Sequence, residues 1–166
     1  MDIWDKTKRS EVMARVRSKD TKPEIRLRKA LFAKGYRYRI HDKKLPGKPD
    51  IVLPKYKTVI FVNGCFWHGH KACGGNRVPK SNSEFWSTKI AKNQSRDLKV
   101  REQLRLQGWT IATVWECELK NAKLAQTVDI IVQLLENKSP RIITIYEEQD
   151  EMIMKVAEKV VKYEEN

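Results

Sequence analysis

The chain has 166 residues, of which 40% are hydrophobic and 33% charged, with a formal net charge of +13. That length suits one domain with a core of its own rather than two, and no apolar run reaches the roughly 20 residues of a membrane span. The N-terminal Met1-Asp2-Ile3-Trp4-Asp5-Lys6 is not followed by an apolar stretch, so a signal peptide is not expected and a cytoplasmic location is. The basic balance favours a polyanionic partner, nucleic acid first, although a solvated basic surface also accounts for it. The charge is uneven: residues 137–166 hold five basic groups against seven acidic ones. The chain therefore divides into a basic domain, 1–136, and an acidic extension, 137–166.

Residues 1–19 are polar and basic and read as an arm with a short helix. A helix follows from Asp20-Thr21, with Pro23 in its first turn and Gly35 as its stop. Glu24, Leu27 and Leu31 share one helical face, which places the Glu24 carboxylate on the apolar side. Tyr36 to Ile40 alternates and predicts a strand. Leu45-Pro46-Gly47-Lys48-Pro49 predicts a turn, Asp50 to Leu53 a short strand and Pro54 to Lys57 another turn. Thr58 to Val62 has the β-branched, apolar character of a central buried strand. Gly64 to Gly75 predicts an irregular loop. Ser83 is placed as the cap of a long helix that stops at Gly108, and Trp109 to Trp115 forms a strand. Leu124, Val128, Ile131 and Leu135 carry a helical period. After Pro140, a strand over 142–146 and a helix over 147–162 are expected. The fold class is therefore α/β, a mixed sheet flanked by helices.

All three cysteines enter one pattern. Cys65, His70 and Cys73 lie in the glycine-bearing loop, and Cys117 follows the strand ending at Trp115. Thiolates plus an imidazole select zinc over magnesium or calcium, and four protein ligands make a closed, structural site. The competing account is a set of buried thiols with no ion. An odd cysteine count argues against a disulfide framework.

Glu24, Asp50 and His68 are candidates for phosphodiester cleavage. Asp50 at a strand end, near a second carboxylate, can hold Mg2+ while the ion keeps waters. His68 has the side chain suited to proton transfer near neutral pH. Singly, Asp50 also reads as a turn carboxylate and Glu24 as a helix-dipole partner; the three together beside one ordered loop favour chemistry. Phe66, Trp67 and Trp86 are candidate wedges for a base step, or core aromatics. Phe85 is placed in the core. Lys89, Lys92, Arg96 and Lys99 serve phosphate or line a solvated helix face.

Thr21-Lys22-Pro23-Glu24, Leu45-Pro46-Gly47-Lys48-Pro49-Asp50, Phe61-Val62-Asn63-Gly64-Cys65-Phe66-Trp67-His68 and Trp115-Glu116-Cys117-Glu118-Leu119 occur in this order. With them, residues 5–120 resemble the very short patch repair (Vsr) endonucleases. The resemblance implies a fold related to type II restriction enzymes and a Mg2+-dependent nick 5′ to the thymine of T·G mismatches, which arise when 5-methylcytosine deaminates. It implies Asp50 and the backbone carbonyl of Val62 as magnesium ligands, with Glu24 and His68 supporting water and phosphate chemistry. It also implies zinc on Cys65, His70, Cys73 and Cys117. A monomer that acts alongside a cytosine-5 DNA methyltransferase is the expected setting. Asn63 stands where some relatives carry a second histidine. A non-catalytic zinc-stabilised DNA-binding module and a restriction-like nuclease on intact duplex are the alternatives.

Overall fold

The computed structural model describes residues 6–14, 17–75, 77–80, 82–120, 122–136 and 142–144. Helix α1 (Lys6–Ala14) lies in the expected arm, and α2 (Lys22–Ala33) follows its N-cap residue Thr21. At its end the amide of Tyr36 donates to Leu31 and that of Gly35 to Phe32, with Gly35 at φ 89°. This paired arrangement satisfies two of the orphan carbonyls and needs a residue without a Cβ penalty, which is why Gly35 stops the helix.

Strands β1 (Ile51–Leu53) and β2 (Thr58–Asn63) pair antiparallel; β3 (Thr110–Trp115) lies parallel to β2, and β4 (Ile142–Thr144) parallel to β3. Among the described residues this makes a four-stranded mixed sheet in the order β1-β2-β3-β4. Helix α3 (Ser83–Leu106) links β2 to β3, and α4 (Lys123–Glu136) lies between β3 and β4.

The sheet is covered on both faces. Ile51, Leu53, Ile60, Ala112 and Val114 join Leu27 and Leu31 of α2 and Val128, Ile131 and Leu135 of α4. Val52, Val59 and Ile111 join Leu104 of α3, with Val100 and Phe61 against them. Alternate residues of β1, β2 and β3 serve opposite cores, so these strands are mostly apolar rather than alternating; all six residues of β3 are buried.

Three expectations are corrected. Tyr36 to Ile40 is not a strand: Arg39 alone pairs, exchanging two 2.8 Å hydrogen bonds with Val52. Tyr36 and Tyr38 do point inward, onto the α2 core, so the alternation is real. However, β1 has only three residues, and Val52 alone turns its backbone groups away from β2. Ser83 is the first residue of α3 and not its cap; the N-cap residue is Asn82, left-handed at φ 56°, with no side-chain cap bond. Phe85 is not core but 58% exposed. The predicted strand over 142–146 is present at β4, while its last two residues and the helix expected over 147–162 lie outside the described residues. No described helix is long and apolar enough to cross a membrane.

Candidate active site and metal centre

The sheet delivers the expected chemistry to one end. Parallel pairing sets Asn63 beside Trp115 at the ends of β2 and β3. Two residues beyond each strand end stand Cys65 and Cys117. Because β1 runs antiparallel to β2, the start of β1, and Asp50 before it, reach the same end. A cleft of about 830 Å3 opens there, and Glu24, Asp50, Val62, Trp67, His68 and Arg96 are among its lining residues.

Asp50 Oδ2 accepts the Val62 amide at 2.7 Å. Its side chain is only 20% exposed. Burial raises its pKa, the Val62 hydrogen bond opposes this, the nearby Glu24 charge adds to the rise and the Arg28 charge works against it, and the outcome is about 6. A buried carboxylate that resists ionising suits a position where a divalent cation supplies the missing compensation.

Glu24 is 3% exposed on the apolar face of α2, as the sequence placed it. It tolerates burial because its oxygens accept from the Asp20 amide at 3.0 Å, the Thr21 hydroxyl at 2.7 Å and Arg28 Nη2 at 2.7 Å. Thr21 thus donates to Glu24 instead of capping the helix, a variation on the capping box. With these bonds Glu24 is a fixed negative charge at the cleft wall.

His68 Nδ1 lies 2.5 Å from Asp97 Oδ2 of α3. Burial works to raise the pKa of Asp97, but the hydrogen bond and charge of His68, with Arg96, outweigh it and hold the carboxyl below its usual range. An acceptor on Nδ1 fixes the proton there and leaves Nε2 for proton transfer. The loop is pinned to α3 at two further points: Asn93 donates to the Trp67 carbonyl at 2.9 Å and Gln94 to that of His68 at 3.2 Å.

Ligand atoms of Cys65, His70, Cys73 and Cys117 lie within 4.8 Å of one another, a spacing at which they could hold a metal ion. The loop folds for this purpose: the His70 amide donates to the Cys65 carbonyl at 2.8 Å and the Gly75 amide to Cys73 Sγ at 3.4 Å. A Cβ on Gly75 would sit 2.8 Å from Cys65 Cβ and 3.0 Å from Cys73 Sγ, so only glycine lets the chain pass there. The His70 ring stacks on Trp115 at 4.2 Å, and its Nδ1 is 3.4 Å from Cys117 Sγ. Burial and the neighbouring thiols drive the Cys117 pKa far upward. Three crowded sulfurs with no cation cannot share their charges, which suits a thiophilic ion.

Phe66, Trp67 and Trp86 form one cluster, their centroids 5.2 to 5.8 Å apart in edge-to-face contacts. All three are partly exposed, and Phe85 extends the cluster from Trp86 at 5.1 Å. Lys89, Lys92, Arg96 and Lys99 are exposed along α3.

Sequence reasoning missed Arg28, His41 and Asp97. Arg28 had a usable signal, since it stands four residues after Glu24 on the same helix. His41 and Asp97 had none, because their partners are distant in sequence. Asp20, Glu24 and His41 also have ligand atoms within 4.8 Å of one another, but the Arg28 guanidinium already serves both carboxylates as their cation.

Comparison with known proteins identifies the family. The family described as DNA mismatch endonuclease Vsr matches residues 1–74. The Type II nicking enzyme V.NmeAIP of Neisseria meningitidis is 53% identical over 125 residues, which cover 75% of this chain and 89% of that protein. The Type II nicking enzyme V.XorIIP of Xanthomonas oryzae pv. oryzae is 48% identical, covering 69% and 83%. The DNA mismatch endonuclease Vsr of Escherichia coli is 43% identical, covering 72% and 76%. Similarity of this extent, over most of the chain and of each relative, shows that the chain belongs to the Vsr family of DNA mismatch endonucleases.

Proposed function

We propose that this enzyme nicks double-stranded DNA 5′ to the thymine of T·G mismatches left by deamination of 5-methylcytosine. The observation that carries the reading is the convergence of Glu24, Asp50 and His68 on one cleft, beside the aromatic cluster. The names of the Escherichia coli and Neisseria relatives support mismatch recognition and single-strand cleavage respectively. The mixed sheet with helices on both faces is compatible with a restriction-endonuclease-like fold.

Asp50 and the Val62 carbonyl would hold Mg2+. The ion would lower the pKa of a bound water and neutralise charge on the scissile phosphate. His68, oriented by Asp97, exchanges a proton at Nε2. Glu24 fixes the charge of the cleft wall and orients water. Cys65, His70, Cys73 and Cys117 would hold a structural Zn2+ that stiffens the loop presenting His68 and Trp67. Phe66, Trp67 and Trp86 enter the base stack, where a mismatch lowers the cost of unstacking. Lys89, Lys92 and Arg96 contact phosphate, the arm at 1–19 adds DNA contacts, and the acidic extension from 137 lies outside the nuclease domain. The protein acts as a monomer in the cytoplasm, in functional partnership with a cytosine-5 methyltransferase.

A nicking assay on T·G, T·A and C·G duplexes, with Mg2+ or EDTA, tests the reading. Mg2+-dependent cleavage of the T·G strand alone is expected. Equal cleavage of matched duplex would indicate a restriction-like nuclease, and binding without cleavage a recognition module.

A further inference from the structure

A second histidine reaches the cleft carboxylates from the loop after Tyr38. His41 is half-buried, with 15% of its side chain exposed. Its Nε2 lies 3.0 Å from Arg28 Nη2, 3.5 Å from Asp20 Oδ1 and 3.8 Å from Glu24 Oε2. Its Nδ1 faces Asp50 Oδ1 at 4.0 Å. Among the described residues, the charged groups that meet the ring are one guanidinium and three carboxylates.

The tautomer follows from the partner. A guanidinium nitrogen can only donate, so Nε2 accepts and the ring proton sits on Nδ1. The Nδ1 side of the ring then faces the Asp50 oxygen that the Val62 amide does not use, at 4.0 Å, an electrostatic approach rather than a hydrogen bond. The backbone points the same way. His41 is left-handed, at φ 47°, a conformation that costs a side chain about 1–2 kcal/mol and that glycine or asparagine adopts more readily. A histidine kept in such a position, with both nitrogens directed at site groups, is held there for its side chain.

We propose that His41 is a positioning residue for cleavage, a bridge that carries the fixed geometry of Arg28, Asp20 and Glu24 across to Asp50. It touches neither the scissile phosphate nor the attacking water. Its effect is to limit the swing of Asp50 about the Val62 hydrogen bond. This rests on the proposed nicking reaction for its kinetic part and on the geometry alone for its tautomer.

Two measurements test it separately. In the whole chain labelled with 15N-histidine, only three imidazoles contribute signals, and His41→Gln identifies the one in question. The His41 Nε2 signal should be that of a hydrogen-bond acceptor facing Arg28, with the ring proton on Nδ1; an Nε2 that donates overturns the bridge. In the T·G nicking assay, His41→Asn accepts the left-handed backbone but is too short to span Arg28 and Asp50. Its kcat should fall about tenfold or more, with KM little changed and thermal stability equal to or above the parent. His41→Gln offers an acceptor to Arg28 and a donor to Asp50, and should restore kcat to near the parent value. An unaffected Asn variant, or a Gln variant as impaired as Asn, overturns the role. If the parent itself fails to nick T·G duplex, the functional reading fails, and the NMR result still decides the bridge.

Discussion

Asp97 of α3 and His68 of the cysteine-bearing loop meet side chain to side chain, 29 residues apart in sequence. Helix and loop therefore present the imidazole jointly, and its orientation depends on α3 as much as on the loop. Asp97→Ala should lower kcat about ten- to a hundredfold, as loss of an orienting partner does, with KM for duplex little altered. Asp97→Asn keeps an acceptor for Nδ1 and should lose less. Because the folded pKa of Asp97 is depressed, its contribution to stability is present above the ordinary carboxylate pKa. It disappears as pH falls through the lower folded value. Thermal melts of Asp97→Ala and parent should therefore converge at acid pH. An Ala variant with full kcat would show that His68 needs no partner.

Asp50 has the opposite sign. Its pKa is raised from 3.8 to about 6, so the folded chain without metal carries a penalty that is absent below pH 3.8. The penalty grows up to about pH 6 and is constant beyond. Asp50→Asn removes the charge, and its amide oxygen can still accept from Val62. At pH 7.5 in EDTA this variant should be more stable than the parent, by about 3 kcal/mol at most, and it should not cleave. At low Mg2+ the parent's kcat/KM should rise with pH through about 6, and added Mg2+ should move that limb to lower pH, since the cation competes with the proton. Retained cleavage by Asp50→Asn would remove Asp50 from the reaction.

Most of the site was readable because its residues sit next to features with strong local signals. Asp50 follows a Pro-Gly-Lys-Pro turn and opens a strand. Cys65 and Cys117 each stand two residues beyond the end of an apolar β-run. Parallel pairing of those runs brings the cysteines together without any further signal. The position of Glu24 on the apolar face was also legible, and its reason, pairing with Arg28, follows the i, i+4 rule. What stayed hidden depends on loop paths. Nothing near His41 shows that its chain turns back over α2, and Asp97 looks like one more charge on a polar helix. Phe85 was misplaced because an aromatic residue in a helix is more often buried; here α3 buries only Ile90 and Leu104 along its length, leaving its first turn open.

The thiol cluster makes a separate claim about stability. Cys117 belongs to the turn after β3, and the other ligands to the loop after β2. An ion shared among them would tie these two segments together through their side chains. Cys117→Ala should lose most of the bound zinc in elemental analysis of the purified protein. It should also melt several degrees lower, because metal binding to the folded site is part of the folding free energy. Excess chelator should bring the parent toward the same melting temperature and leave Cys117→Ala unchanged. Full zinc content in the variant would exclude Cys117 as a ligand.

Gly47 gives a test of how the turn before Asp50 is set. It is left-handed at φ 70°, and a Cβ there would lie 2.4 Å from Val100 Cγ1 on α3. The turn is therefore pressed against the helix that also carries Asp97. Gly47→Ala incurs the left-handed penalty of about 1–2 kcal/mol and a steric clash with a branched side chain that cannot rotate clear. Stability should fall by more than the backbone penalty alone, and kcat should fall with it, since Asp50 lies three residues downstream. Val100→Ala by itself should cost stability by opening a gap in the α3 core. In the Gly47→Ala background the same change removes the clash and should cost much less, or restore some of the loss. A double-mutant cycle by denaturant melts reads this coupling. Simple additivity of the two changes would mean that the turn does not lean on Val100, and that the position of Asp50 is fixed from β2 alone.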